Sequence, residues 1–304
     1  MRVFTDLAME AREAAGEIKG VEFYKEQPIE GITLTRVKVV SEEGARDIGK
    51  PIGNYITIEA PQLRSGDPEL REHVAQALAA EIKKMLPEGS GPVLVVGLGN
   101  WRITPDSLGP KAVEQTFVTR HMLQFIPDKV DKRIRPVCAM APGVLGITGI
   151  ESGEVVRGIV QSIQPKAVIA IDSLASMKTE RLATSMQIAD TGIAPGGGIG
   201  NKRPGLNREN LGIPVIAMGV PLVVYAAQIV ADAIEAAVSG GAVGPQTLAL
   251  DRVQRAAQDR MGDMVVTPKE IDELVEDASK MVADALNLAL HEGMGLEEVR
   301  RYMD

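Results

Sequence analysis

Pro92-Val-Leu-Val-Val-Gly-Leu-Gly-Asn-Trp-Arg-Ile-Thr-Pro-Asp106 begins as an unbroken apolar run and ends on an acid. Residues 92–97 show no polar alternation, which is the pattern of a strand buried on both faces under covering helices. The same unit recurs downstream. Pro136–Ala141, Ala167–Ile171 and Pro214–Met218 read as further buried strands, with helices expected at about 110–124, 151–163 and 221–238. The helix at 110–124 would carry Val113, Phe117 and His121 on one side. Continuous apolar strands alternating with helices define an α/β fold in three layers, a mostly parallel sheet covered by helices.

Outward from this core the pattern changes. Residues 1–30 are charged, with a short amphipathic stretch at 7–15. Ile32–Val40 and Asn54–Glu59 alternate apolar with polar residues and predict a lateral β-hairpin with one solvated face. Asp67-Pro68-Glu69 starts a helix to about Met85, an acid at the cap and proline in the first turn. Thr267-Pro268-Lys269-Glu270 predicts a capping box for a helix to about Leu290, and a short acidic helix closes the chain. No repeat or linker interrupts the sequence. A single α/β domain over 7–304 is expected, with its core at 91–238 and a helical C-terminal part at 239–304.

Composition bounds the function. Apolar residues make up 45% of the 304 and aromatics 3%, so the core rests on aliphatic side chains. The net charge of −8, with both signs interspersed, argues against a direct nucleic-acid binder, whose footprint is a basic patch. No stretch approaches the roughly 18–20 apolar residues of a membrane span, and no secretory leader is recognisable at 1–30. A single cysteine, Cys138, lies in an apolar strand and reads as a buried thiol in a reducing compartment. A cytoplasmic protein is expected.

In open α/β sheets, sites form outside the carboxyl ends of the strands. Two apolar strands deliver an acid there: Asp106 after strand 92–97 and Asp172 directly after strand 167–171. Two carboxylates in a poorly solvated place cannot easily both ionise, so one keeps a proton while the other acts as a base. Alternatively, Asp106 caps a helix and Asp172 ties down a loop. The loop from Gln187 through Asp190 to Lys202 and Arg203 is rich in glycine, which lets backbone amides approach a ligand. It reads either as a peptide-binding loop or as a surface loop, and Asp190 either orients the pair or caps its own turn.

Other chemistries fit less well. Gly97-Leu98-Gly99 follows a strand, but the third glycine of a dinucleotide fingerprint is replaced by Arg102. Gly196–Gly200 lacks the Lys-Ser/Thr of a phosphate loop. His73, His121 and His291 are far apart and show no ligand spacing, and no Gly-x-Ser-x-Gly elbow occurs. The aspartates remain.

With these segments in hand, the chain resembles the germination (spore) proteases of endospore-forming bacteria. The resemblance runs through Thr5-Asp-Leu-Ala8, Gly97-Leu-Gly-Asn100, Thr104-Pro-Asp-Ser-Leu-Gly-Pro110, Pro142–Gly149, Ala170-Ile-Asp-Ser-Leu174, Gln187–Gly192, Gly198–Arg203 and Gly212–Ala217. It implies a fold similar to hydrogenase maturation endopeptidases. It also implies an endopeptidase that starts the degradation of small acid-soluble spore proteins, located in the developing spore core and assembled as a homotetramer. The family's two catalytic aspartates fall on Asp106 and Asp172, in an atypical aspartic protease without cofactor. A metal-dependent maturation-type endopeptidase and a non-catalytic α/β binding protein are the alternatives.

The resemblance further implies a zymogen that removes its own N-terminal segment by cutting after an acid, before an apolar residue followed by Ala. Asp6-Leu7-Ala8 fits this pattern and no other site in the chain does. Met1 marks the sequence as the precursor, with residues 1–6 as propeptide and cleavage between Asp6 and Leu7. Asn100, Asp190, Arg102, Lys202 and Arg203 are the expected supporting or substrate-binding residues, the cations or backbone amides reading the acid before the cut. Protonation of the pair and of acidic prosegment contacts makes self-processing expected to speed up as pH falls.

Overall fold

The computed structural model describes residues 5–194, 205–239 and 250–303. The chain runs through α1 (Ala8–Ala15), β1 (Val21–Ile29), β2 (Ile32–Val39), α2 (Glu42–Ile48), β3 (Gly53–Glu59), α3 (Pro68–Met85), β4 (Val93–Gly97), α4 (Leu108–Glu114) and α5 (Arg120–Phe125). It continues through β5 (Val137–Met140), α6 (Leu145–Thr148), α7 (Ser152–Ile163), β6 (Ala167–Ser176), β7 (Ser185–Ala189), α8 (Arg208–Leu211) and β8 (Val215–Tyr225). The last elements are α9 (Ala226–Ser239), α10 (Leu250–Met261), β9 (Val265–Val266), α11 (Ile271–Leu290) and α12 (Leu296–Met303).

One sheet carries all the described strands, in the order β1-β2-β3-β7-β8-β6-β4-β5, with β9 added to β8. Strands β5, β4, β6 and β8 are parallel, as their apolar runs predict. From β8 outward through β7, β3, β2 and β1 every pairing is antiparallel. In the parallel part both faces are buried. Val93, Val95, Ile169 and Ile171 pack with α3, α4 and α11, while Leu94, Val96, Val168 and Ala170 pack with Val156 and Val160 of α7. Helix α1 covers the antiparallel wing through Leu7, Ala8, Met9 and Ala11 against Val37, Val39 and Tyr55.

Several expected boundaries move, each for a local reason. The helix expected at 110–124 is two helices, because the Phe117 amide donates to Asn287 Oδ1 of α11 at 2.9 Å and the Thr119 hydroxyl accepts from Val137 at 2.9 Å. Side chains that bond to backbone in this way compete with a helix. The helix expected from Pro221 starts at Ala226, since 221–225 continue β8. There the register shifts, Leu174 pairing with Pro221 and Ala175 with Val223, so Pro221 sits at a bulge where its missing N–H is tolerated. Thr267 does not cap α11: its hydroxyl donates to the Leu222 carbonyl at 2.8 Å, and Glu270 flanks the helix instead.

The two strands expected to pair do so antiparallel, as β2 and β3, but they are not joined by a tight turn, and the hairpin is made one strand earlier. β1 and β2 form it, joined at Ile29 and Ile32, whereas β3 is reached through α2, capped by Ser41. β7 occupies the start of what reads as a glycine-rich loop. That loop's residues 195–204, including Lys202 and Arg203, lie outside the described residues; Ile193 and Leu206 pair at its base.

Leu78 of α3 is fully buried in the larger core. Leu78→Ala is expected to cost about 2–5 kcal/mol in chemical denaturation, the loss typical of a cavity in a close-packed core.

Candidate active site

β4 ends at Gly97, level with Ile171, and the chain turns over the sheet edge. Leu98 donates its amide to the Ile171 carbonyl at 2.8 Å. Gly99 follows at φ +114°, and a Cβ there would fall 2.0 Å from the Asp106 carbonyl oxygen. Glycine therefore lets the loop fold back on itself, with the Asn100 amide donating to that oxygen at 2.9 Å and Asp106 closing a 3-10 turn over Thr104–Asp106.

Asp172 lies within β6, opposite Gly219 of β8, and not beyond the strand as its apolar run alone suggests. Both residues are half-buried. Burial pushes Asp172 well above the ordinary carboxylate range, and the charges of Asp106 and Asp6 push it the same way. Only the Ser173 amide, donating to Asp172 Oδ1 at 2.9 Å, opposes them. Burial also raises Asp106, against a hydrogen bond from the Asn100 amide. The Asp106 charge thus adds to the rise at Asp172, whereas the rise at Asp106 itself comes from burial.

The chain's own N-terminal segment lies against this edge. β6 continues past the end of β4, and Asp6 takes the vacant side: its amide donates to the Ala175 carbonyl at 2.9 Å, and the Ala175 amide donates to Asp6 Oδ2 at 2.8 Å. Lys50 Nζ donates to the carbonyls of Thr5 and Asp6, both at 2.9 Å. Gln187 bridges the next bond, Nε2 donating to the Asp6 carbonyl at 3.0 Å and Oε1 accepting from the Ala8 amide at 2.6 Å. Leu7 and Ala8 are fully enclosed.

Glu10, fully buried, anchors the segment. Its carboxylate accepts from the Met177 amide at 2.6 Å, the Lys178 amide at 3.1 Å and Arg181 Nη1 at 3.0 Å, and also from the Thr5 hydroxyl. Arg181 additionally binds Glu13 at 2.9 Å and Glu59 at 3.2 Å. Burial pulls the Arg181 pKa down, but the three surrounding carboxylates leave it raised overall.

Of the residues expected from sequence, Asp106 and Asp6 lie near enough to Asp172 for their charges to raise it. Asn100 shapes the Asp106 turn and accepts from the Arg102 amide at 3.0 Å, while the Arg102 side chain is exposed. Asp190 accepts from the Asn54 amide at 2.8 Å and from Asn54 Nδ2 at 2.6 Å, which ties β7 to β3. Sequence reasoning missed Lys50, Gln187, Ala175, Glu10 and Arg181. Gln187 stands at the head of the glycine-rich motif, a faint signal, whereas nothing marks Lys50 in its charged turn.

Remaining titratable groups sit elsewhere. His291 is fully buried at the end of α11, accepts from the Arg135 amide at 3.3 Å, and is pushed down to about 4 by burial. Burial raises the Cys138 thiol. Among the described residues no group of three or more His, Cys, Asp and Glu could hold a metal ion, and no helix is long and apolar enough to cross a membrane.

The fold defines a class: an α/β protein with two raised carboxyls, Asp106 and Asp172, at the carboxyl edge of its parallel strands. A family model described as germination protease matches residues 3–247. Germination proteases of Clostridium perfringens and Clostridium tetani are 44% and 42% identical, over 99% and 100% of both chains respectively. That of Bacillus cereus is 38% identical over 99% of this chain and 96% of its own. A NiFe hydrogenase maturation protease of Thermococcus kodakarensis superposes on 68% of this chain and 98% of its own, at 13% identity and a TM-score of 0.33. That likeness is too weak to build on. The chain belongs to the germination protease family, and it is a protease of spore germination.

Two stability predictions follow from the site's electrostatics. A carboxyl raised in the folded state favours folding least when ionised, so stability is lost as pH rises from the unfolded value near 3.8 through the folded titration of Asp172. Asp172→Asn is therefore expected to raise the melting temperature at pH 8, by an increment that shrinks towards pH 4. Arg181→Met leaves Glu10 buried without its cation and is expected to cost about 3–5 kcal/mol in denaturant titration.

Proposed function

We propose that Asp106 and Asp172 are the paired acids of an atypical aspartic endopeptidase and that its first substrate is its own Asp6–Leu7 bond. Residues 1–6 are then a propeptide, and the domain at 7–304 is the processed enzyme. The observation that carries this reading is the docking of Asp6, the residue before that bond, on Ala175 of β6, the strand that also carries Asp172. Asp6 lies as the acid of a substrate would: beside an open strand edge, its amide on the Ala175 carbonyl and its carboxylate on the Ala175 amide.

The chemistry follows from the unequal environments of the two carboxyls. Asp172, the more strongly raised, holds the proton. Asp106, ionised, takes a proton from water as the water oxygen bonds to the Asp6 carbonyl carbon. The carbon–nitrogen bond then breaks as Asp172 gives its proton to the Leu7 nitrogen. Transfer of the proton from Asp106 back to Asp172 restores the pair. One water is consumed, and a new carboxyl and a new amine result.

The enclosed positions support the expected cleavage preference. The carboxylate of Asp6 rests on the Ala175 amide, and Leu7 and Ala8 are fully buried. After processing, the same cleft is free for small acid-soluble spore proteins, whose degradation in the spore core the enzyme would start during germination. Assembly as a homotetramer, taken from the family resemblance, completes the reading.

Asp106→Asn and Asp172→Asn are each expected to slow release of residues 1–6 by at least about a hundredfold, the scale of a lost general acid or base. Mass spectrometry of the N-terminus reads the result. Processing at the wild-type rate in both variants would overturn the paired-acid reading. In the wild-type chain, the rate is expected to fall as pH rises through the titration of Asp172, whose proton the step requires.

A further inference from the structure

We propose that Lys50 and Gln187 form the oxyanion-binding pair of this protease, holding the carbonyl oxygen of the bond that is cut. The inference rests on the assignment of Asp6–Leu7 as a bond the enzyme cleaves. Three observations carry it.

Both side chains converge on one oxygen. The Asp6 carbonyl accepts from Lys50 Nζ at 2.9 Å and from Gln187 Nε2 at 3.0 Å. A main-chain carbonyl in a docked strand ordinarily pairs with backbone. Here the partners are an ammonium and a carboxamide from two separate elements, the turn after α2 and strand β7. Each has a second bond that fixes its aim. Lys50 also holds the Thr5 carbonyl at 2.9 Å, and Gln187 Oε1 accepts from the Ala8 amide at 2.6 Å. Gln187 therefore spans the Asp6–Leu7 bond, gripping the carbonyl before it and the amide after its next residue.

The surroundings suit charge development at that oxygen. Gln187 is buried, and Lys50 is half-buried near the carboxylates of Asp6 and Glu10. Donors fixed in advance in a poorly solvated place stabilise a forming oxyanion far more than water does. In the step described above, the electron pair of the carbonyl moves onto the Asp6 oxygen as the water oxygen bonds to the carbon. Lys50 and Gln187 hold that negative charge by hydrogen bonds, and it returns as the bond to the Leu7 nitrogen breaks. No proton leaves either residue. The carboxyl pair handles the water and the leaving nitrogen, and the oxygen is left to the lysine and the glutamine.

The proposal separates binding from catalysis. A supplied peptide containing Glu-Ile-Ala would place the carbonyl of its Glu where that of Asp6 now lies. Residues that only grip the peptide would change KM, whereas an oxyanion pair changes kcat.

The test uses the full chain and its processed form, with self-processing followed by mass spectrometry and peptide cleavage followed as kcat and KM. Release of a product beginning at Leu7 by the wild type is required; if that product never forms, the bond assignment fails and this inference with it. Given that product, Lys50→Met is expected to lower kcat about 10²–10³-fold, the typical effect of removing one oxyanion donor, with KM changed by less than about threefold. Lys50→Arg, which keeps a cationic donor, is expected to recover part of kcat. Gln187→Met tests the second donor, with a smaller loss in kcat. Any processed form that a slow variant does not make for itself is expressed directly from Leu7 behind an initiator methionine. Thermal melting at the wild-type temperature shows that a variant is folded, and a variant that melts early is judged by the melting-matched Lys50→Arg or Gln187→Met instead. Wild-type kcat in folded Lys50→Met and Gln187→Met, or a loss confined to KM, would overturn the proposal while leaving the paired acids in place.

Discussion

β4 stops at Gly97 while β6 runs on to Ser176, and the open strand edge left between them shapes the whole site. A strand edge with unpaired amides and carbonyls is a template for another extended segment. In this chain that segment is its own N-terminus, which gives Ala175 both of its missing partners through Asp6. The same gap allows the loop after β4 to fold over Gly99 and bring Asp106 to Asp172. Shortening β6 or lengthening β4 would remove the cleft and the carboxyl pair together.

Holding this arrangement carries a cost. Burial raises both Asp106 and Asp172, and at Asp172 the charges of Asp106 and Asp6 add to it. The offset lies a few residues away. Arg181 is ringed by Glu10, Glu13 and Glu59, and Glu10 also takes the Met177 and Lys178 amides. This network pins α1, and through it Leu7 and Ala8, onto the sheet. The position of the N-terminal segment thus depends on a buried cation that no carboxyl of the site touches. Such networks are weak sources of net stability but strong determinants of geometry.

The sequence foretold the core and the location of the acids better than their surroundings. Buried strands 92–97, 136–141 and 167–171 were legible because parallel strands under helices lose polar alternation. Asp106 and Asp172 were legible because acids at the ends of such strands stand out. β7 was not, since Ser185–Ala189 reads as the approach to a glycine-rich loop, and β1 is a charged, largely exposed edge strand. The continuation of β8 through Pro221 was hidden because proline there resembles a helix start, and only the bulge opposite Leu174 makes a strand tolerable. Lys50 and Gln187 could not be found from spacing, because their partners are main-chain oxygens and amides that no sequence pattern records.

Site-resolved titration of the aspartate carboxyls tests the central claim most directly. With carbon-13-labelled aspartate in the full chain, the Asp172 carboxyl resonance is expected to titrate well above 3.8, and to move down towards it in Asp106→Asn. The Asp106 resonance is expected to rise above 3.8 by a smaller margin. Ordinary, independent titrations near 3.8 for both groups would contradict a coupled acid pair at this edge of the sheet.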